Sequence, residues 1–85
     1  MTKESKLIEK IESVPIRSDI SVQEFNKYLE INGYFLARHD GTSHMQFKHK
    51  QTGDILTVAY HNKHVKVAYV KDAIRQIKSH KEEAI

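Results

Sequence analysis

Three polar residues that could act on a phosphodiester, His44, Gln46 and Lys48, alternate along the chain with Met45 and Phe47. Residues two apart in a β-strand lie ~6.6 Å apart on one face, so this alternation predicts a strand with an imidazole, an amide and an ammonium in a row. An imidazole that titrates near neutrality can take the proton from a ribose 2′-OH. A nearby cation would stabilise the charge that develops on the phosphorane. The spacing alone does not distinguish this chemistry from a histidine that is merely exposed at a sheet surface.

The sequence offers little for metal binding. It has no cysteine, and His61 and His64 lie in a polar segment without a cluster of acidic residues. Asp40 and Asp54 are each expected to stand alone at loop positions, so no two-metal site is expected. His49 shares a strand face with apolar residues, which favours a partly buried, hydrogen-bonded role. The sequence therefore predicts no metal site and no cofactor.

The net charge of +3 is distributed unevenly along the chain. Residues 1–37 contain five Lys and Arg against six Asp and Glu, whereas residues 38–85 contain nine against five. The second half is therefore the expected binding half, and its partner is expected to be anionic. Beyond the strand, the candidate phosphate contacts in a loop and on a helix face are Lys63, Lys66, Lys71 and Arg75. A plain solvated surface is the alternative interpretation of these residues.

Two helices are expected before the strands. Apolar residues at helical spacing predict a first helix over residues 3–13. A second helix is predicted over residues 22–32, where Ser21 and Glu24 fit a capping box. Asn32-Gly33 supplies the left-handed residue that ends it.

Strands and a last helix follow in the second half. The predicted strands are Tyr34–Arg38, His44–Lys50 and Ile55–Tyr60. Gly41-Thr42-Ser43 is the expected turn before His44, His61–Lys66 is expected to be a polar loop, and residues 68–80 a helix with a basic face. The order α-α-β-β-β-α predicts an α+β fold in which helices cover one face of a three-stranded antiparallel sheet.

Length and composition restrict the class of protein. The 85 residues suffice for one domain, and this length with only three glycines excludes dinucleotide-binding folds and P-loop enzymes. No apolar run approaches the ~20 residues of a membrane span. The polar start is no signal peptide, so a cytoplasmic location is expected.

Several segments together resemble the HicA family of toxins. They are Asn-Gly-Tyr-Phe-Leu-Ala-Arg at 32–38, Ser-His-Met-Gln-Phe-Lys-His at 43–49, Leu-Thr-Val-Ala-Tyr-His at 56–61 and the helix segment 70–77. Members of this family are small mRNA interferases of bacterial toxin–antitoxin pairs, with a fold similar to the double-stranded-RNA-binding domain. In the family pattern an Arg ends the first strand, and Ser-His leads into Phe-basic-His. The resemblance covers roughly residues 21–78, most of the chain.

The resemblance implies the site residues and the partners. The family's catalytic histidine falls on His44, which implies a metal-independent endoribonuclease with this histidine as general base. The expected RNA contacts are Arg38, Gln46, Lys48, Lys63, Lys66, Lys71 and Arg75. The implied partners are mRNA and a HicB-like antitoxin protein that keeps the toxin silent. Within the single domain 1–85, residues 1–15 are an N-terminal helical extension and residues 21–80 form the core.

The chain departs from the family pattern at three positions. Thr42 stands between Gly41 and the Ser-His pair. Met45 occupies the place of a frequent second histidine, and Ala59 that of a common proline. Two other functions stay open: a module that resembles the double-stranded-RNA-binding domain and never cuts, and a structural partner subunit without RNA affinity. His44 separates the enzyme from the binder, because a pure binder would be served better by Lys or Arg.

Overall fold

The computed structural model of the chain, which describes residues 3–39 and 44–83, has an α+β fold of three helices and a four-stranded sheet. The elements in chain order are α1 (Lys3–Ile11), α2 (Val22–Ile31), β1 (Tyr34–His39), β2 (His44–His49), β3 (Ile55–His61), β4 (His64–Val65) and α3 (Val67–Glu83). The strands lie in the order β1-β2-β3-β4, and every neighbouring pair is antiparallel. The predicted turn at Gly41-Thr42-Ser43 lies outside the described residues. None of the described helices is long and apolar enough to cross a membrane.

One face of the sheet is buried by the helices. Along β2, Met45 and Phe47 are buried while the residues between them are exposed, as the alternation in the sequence predicts. The core on this face receives side chains from all three described helices, among them Ile11, Phe25 and Val70, which are fully buried. The predicted two-layer packing is thereby confirmed. We call the opposite face, on which the exposed residues of β2 lie, the open face.

The start of α2 is held by the predicted capping box. The Ser21 hydroxyl accepts the backbone N–H of Glu24, and the Ser21 backbone N–H donates to the Glu24 carboxylate, both at 3.1 Å. These bonds satisfy two backbone donors that the first helical turn leaves without partners. After Ile31 the chain turns at Gly33, whose φ of +90° is in the left-handed region. Both predicted ends of this helix are confirmed to within one residue.

The N-terminal helix α1 packs into the same core. Ile11 is fully buried, and Leu7 and Ile8 pack against the core beside it. Lys10 Nζ lies 2.7 Å from Glu24 Oε2, and this hydrogen bond lowers the pKa of the Glu24 carboxyl. Partly exposed ion pairs contribute little, so the apolar side of this short helix supplies most of its stability.

The segment predicted to be a polar loop forms a hairpin instead. β3 continues to His61, which pairs with His64 of β4. Asn62 and Lys63 between them have φ values of +50° and +67°, which is typical of the two-residue turns that match strand twist. The prediction of a three-stranded sheet is therefore wrong by one strand. A strand of two residues in which only Val65 is apolar has no periodicity that a sequence pattern could show.

The last helix is longer than the sequence predicts. The expected range is 68–80, whereas α3 runs from Val67 to Glu83. Neither glycine nor proline follows residue 80, so nothing in the sequence stops the helix there.

Candidate functional site

Cross-strand pairing sets the side chains of the open face in rows. The first two rows, read from β1 to β3, are Phe35–Lys48–Ile55 and Arg38–Gln46–Thr57. The last row, read from β2 to β3, is His44–Ala59, in which Ala59 is buried and His44 is exposed. Along β2, His44 therefore lies ~6.6 Å from Gln46 and ~13 Å from Lys48 at the backbone. All three are exposed, so the open face presents the imidazole, amide and ammonium to one side of the sheet.

A β-bulge brings Arg38 to the open face. The register between β1 and β2 shifts before Arg38, with Ala37 as the extra residue, so that Arg38 is the partner of Gln46. Strict alternation from the buried Tyr34 would otherwise direct Arg38 to the helix side. The bulge thus places a guanidinium in the row next to that of His44.

The fourth strand brings Lys66 to the same end of the sheet. The Lys66 backbone N–H donates to the carbonyl of Ala59 at 3.3 Å, and Ala59 is the partner of His44. The backbones of Lys66 and His44 are thus two strand spacings, ~10 Å, apart. Lys66 is exposed and follows the buried Val65. A second basic residue therefore lies two strands from His44 in space, although the two are far apart in sequence.

The other predicted phosphate contacts lie away from the open face. Lys71 and Arg75 are exposed on α3, a helix that packs on the buried face of the sheet. Arg75 Nη1 is 4.0 Å from Asp72 Oδ1, and the two side chains are 82% and 62% exposed, so this pair is weak. Lys63 lies in the β3–β4 turn, where its carbonyl accepts the backbone N–H of Val22 at 3.0 Å. The structure therefore divides the predicted contacts into two surfaces.

His49 has the predicted buried, hydrogen-bonded position. It is 7% exposed, and its Nε2 lies 3.1 Å from the Asn32 carbonyl oxygen. Its Nδ1 accepts the backbone N–H groups of Gln51 and Thr52, each at 3.2 Å. Because a carbonyl oxygen only accepts, Nε2 carries the proton and Nδ1 does not. The ring therefore connects the end of α2 to the β2–β3 turn.

His80, which the sequence did not single out, packs beside His49 with ring centroids 4.6 Å apart. Its Nε2 is 2.5 Å from Asp54 Oδ2, and this hydrogen bond lowers the pKa of the Asp54 carboxyl. Asp54 thus has an imidazole partner that the sequence did not suggest. The sequence did contain a signal that His80 lies on the core-facing side of α3, because it follows the buried Ile77 at helical spacing.

Tyr34 completes this group of side chains, the histidine cluster (Tyr34, His49, Asp54, Gln76 and His80). The Tyr34 ring stacks on His80 with centroids 6.1 Å apart and meets His49 edge-on at 4.9 Å. Its hydroxyl donates to Gln76 Oε1, and burial raises the pKa of Tyr34 to about 12. The cluster ties α3 to β1 and to the β2–β3 turn, at the opposite end of β2 from the open-face imidazole.

The part of the chain that the structure describes contains no group of three or more His, Asp or Glu side chains placed to hold a metal ion. This includes the histidine cluster, where both ring nitrogens of His49 already bond backbone groups and His80 Nε2 bonds Asp54. His61 and His64 are cross-strand partners, but two imidazoles fall short of the three or four ligands that zinc takes from a protein.

Comparison with known proteins identifies the family. The family model described as the HicA toxin of bacterial toxin–antitoxin systems matches residues 22–78, more than half of the chain. The matched segment begins with α2 and includes all four strands of the described sheet, whereas α1 precedes it. Comparison with curated proteins gave no match, and comparison with solved structures gave none either. The chain therefore belongs to the HicA family, the toxins of bacterial toxin–antitoxin systems.

Proposed function

We propose that this toxin cleaves mRNA as a metal-independent endoribonuclease, with His44 as the general base. The observation that carries the proposal is the exposed position of His44 on the open face, where the bulge and the fourth strand add Arg38 and Lys66. Membership in a toxin family supports it, because cleaving mRNA would arrest a cell. We further propose that the fold is a variant of the double-stranded-RNA-binding domain with one additional short strand.

The proposed reaction is a transesterification within the RNA strand. His44 accepts the proton of a ribose 2′-OH, and O2′ attacks the adjacent phosphorus while the P–O5′ bond breaks. The leaving O5′ takes up a proton from solvent and His44 then releases its proton to solvent, so the products are a 2′,3′-cyclic phosphate and a 5′-hydroxyl. Arg38 and Lys66 stabilise the charge on the phosphorane. The Gln46 amide, the next open-face residue of β2, hydrogen-bonds oxygens of the bound strand.

The remaining basic residues hold the RNA backbone in this proposal. Lys48 contacts phosphate on the open face, while Lys63, Lys71 and Arg75 contact flanking phosphates beyond it. Such contacts position a nucleic acid without reading its sequence. They also make binding salt-dependent, since each neutralised phosphate releases counterions.

A toxin of this kind requires a partner that silences it. The family supports an antitoxin partner, and we propose a HicB-like protein whose acidic surface covers the open face. An exposed basic face is complementary to such a surface, and covering it blocks access of RNA to His44.

A module that binds RNA without cutting it is the second candidate. The observation that favours it is the basic surface of Lys71 and Arg75, which lies on the helix layer rather than beside His44. On that surface RNA would be held away from the imidazole.

The growth of bacteria that express the chain without an antitoxin distinguishes the two candidates. Wild-type protein should arrest growth, and His44→Ala should abolish the arrest. His44 is exposed, so this change should cost well under ~1 kcal/mol of stability. His61→Ala, which removes another exposed histidine of the sheet, is the matched control and should remain toxic. A folded His44→Ala protein that still arrests growth would show that another group acts as the base.

A further inference from the structure

The open face carries two exposed apolar side chains that the proposed reaction does not use. Phe35 is 40% exposed and Ile55 is 58% exposed. They flank Lys48 in one row, at the end of the open face remote from His44. Because neighbouring strands lie ~4.8 Å apart, the three side chains form one continuous patch. Contiguous exposed apolar groups with a polar rim are a common feature of binding surfaces.

The neighbouring residue Leu36 has a similar exposure but lies on the other side of the sheet. Leu36 is 48% exposed and is the partner of Phe47, which the helices bury. Phe35, one residue earlier, is the partner of the exposed Lys48. The chain therefore offers two adjacent, partly exposed apolar residues of which only one can contact a ligand on the open face.

The charges on the open face favour a nucleotide as the ligand of this patch. Lys48 lies between the two apolar side chains, and Arg38 lies on β1 in the next row. A nucleotide combines a flat apolar base with a negatively charged phosphate, so it matches an aromatic ring beside an ammonium group. Stacking of bases on aromatic side chains next to basic ones is the common way in which proteins bind single-stranded nucleic acid.

We propose that Phe35, Lys48 and Ile55 bind an unpaired nucleotide of the RNA, with the base stacked on the Phe35 ring and a phosphate at Lys48. This inference rests on the proposed function, because it specifies which state of the RNA reaches His44. A duplex keeps both faces of its internal bases stacked, so the ring would have no base to contact. The patch is ~13 Å from His44 along β2, so the bound nucleotide lies beside the cleaved bond rather than at it.

The test measures binding of RNA that cannot be cut. A single-stranded oligonucleotide of mixed sequence with 2′-O-methyl groups throughout lacks the attacking hydroxyl, and its duplex with the complementary strand is the paired probe. Phe35→Ala should weaken binding of the single strand by about 5-fold or more, the size of one lost base–aromatic stack. Phe35→Tyr should keep the affinity. Leu36→Ala is the matched control and should leave both affinities unchanged.

Three other outcomes of this test would contradict the inference. An equal loss for Phe35→Ala and Leu36→Ala would trace the effect to the fold, and an equal loss for single strand and duplex would show that no unpaired base is recognised. Unchanged RNA affinity together with weaker antitoxin binding would assign the patch to the protein partner.

The outcome of this binding test does not depend on whether His44 is the general base, because the probe is not cleaved. If Phe35→Ala behaves as expected while His44→Ala remains toxic, the inference holds and the proposed mechanism fails.

Discussion

Replacing Gly33 with alanine should destabilise the protein more than the same replacement at Gly53. Both glycines have positive φ, +90° and +76°, so an added Cβ costs ~1–2 kcal/mol of backbone strain at either position. Their surroundings differ. A Cβ at Gly33 would lie 2.9 Å from His49 Nε2, whereas at Gly53 the nearest atom is Lys48 Cε at 3.9 Å. The second distance is an ordinary contact, and the first forces a neighbour to move.

His49 cannot move without losing contacts. Its Nε2–H donates to the Asn32 carbonyl and its Nδ1 accepts two backbone N–H groups. Losing one such bond costs ~0.5–1.5 kcal/mol, so Gly33→Ala should cost about 1.5–3.5 kcal/mol in total and Gly53→Ala about 1–2 kcal/mol. In a domain of this size each kcal/mol lowers the melting temperature by ~4–8 °C. Gly33→Ala should therefore melt roughly 6–28 °C below the wild type.

Urea and thermal unfolding, followed by circular dichroism, measure the free energy of unfolding and the melting temperature of both variants. Gly53→Ala is the control for backbone strain alone. In a His49→Ala background the cost of Gly33→Ala should shrink to that of Gly53→Ala, because the contact is gone and only strain remains. Equal costs for the two glycine variants in the wild-type background would refute the steric role of His49.

The other predictions concern the proposed reaction and the charges. RNA cleavage by purified protein should survive excess EDTA, because the proposed base is an imidazole and not a metal-bound hydroxide; activity that returns only with added metal would make His44 a ligand. Reversing the charges of Lys71 and Arg75 should weaken RNA binding for every sequence and flatten its salt dependence by ~0.7 per lost contact to a single strand, which titrations at several salt concentrations measure. The His80 hydrogen bond lowers the pKa of Asp54, so the stability from this pair is present at neutral pH and is lost as the pH falls through the lowered pKa. Asp54→Asn should therefore lower stability at pH 7 and reduce its loss in acid, measured by urea unfolding across pH; an unchanged pH dependence would contradict the linkage.

Local rules sufficed for several features of this chain. A capping box needs only Ser21 and Glu24 at the correct spacing, so the start of α2 followed from the sequence. The two-residue period of a strand likewise placed His44 on an exposed face and His49 on a buried one. The family, too, could be identified from the sequence alone, because each of its motifs is a short run of consecutive residues.

Tertiary structure decided what depends on contacts between distant segments. Regular alternation directs Arg38 to the helix side, and only the bulge in the pairing of β1 with β2 places it on the open face. Lys66 approaches His44 because a two-residue strand pairs with β3, and that strand is too short to show a period. Asp54 and His80 are far apart in sequence and meet when α3 packs on the sheet. Periodicity reports which side of one element is buried, whereas register, bulges and packing are set by pairs of elements, and so they became visible only in the folded chain.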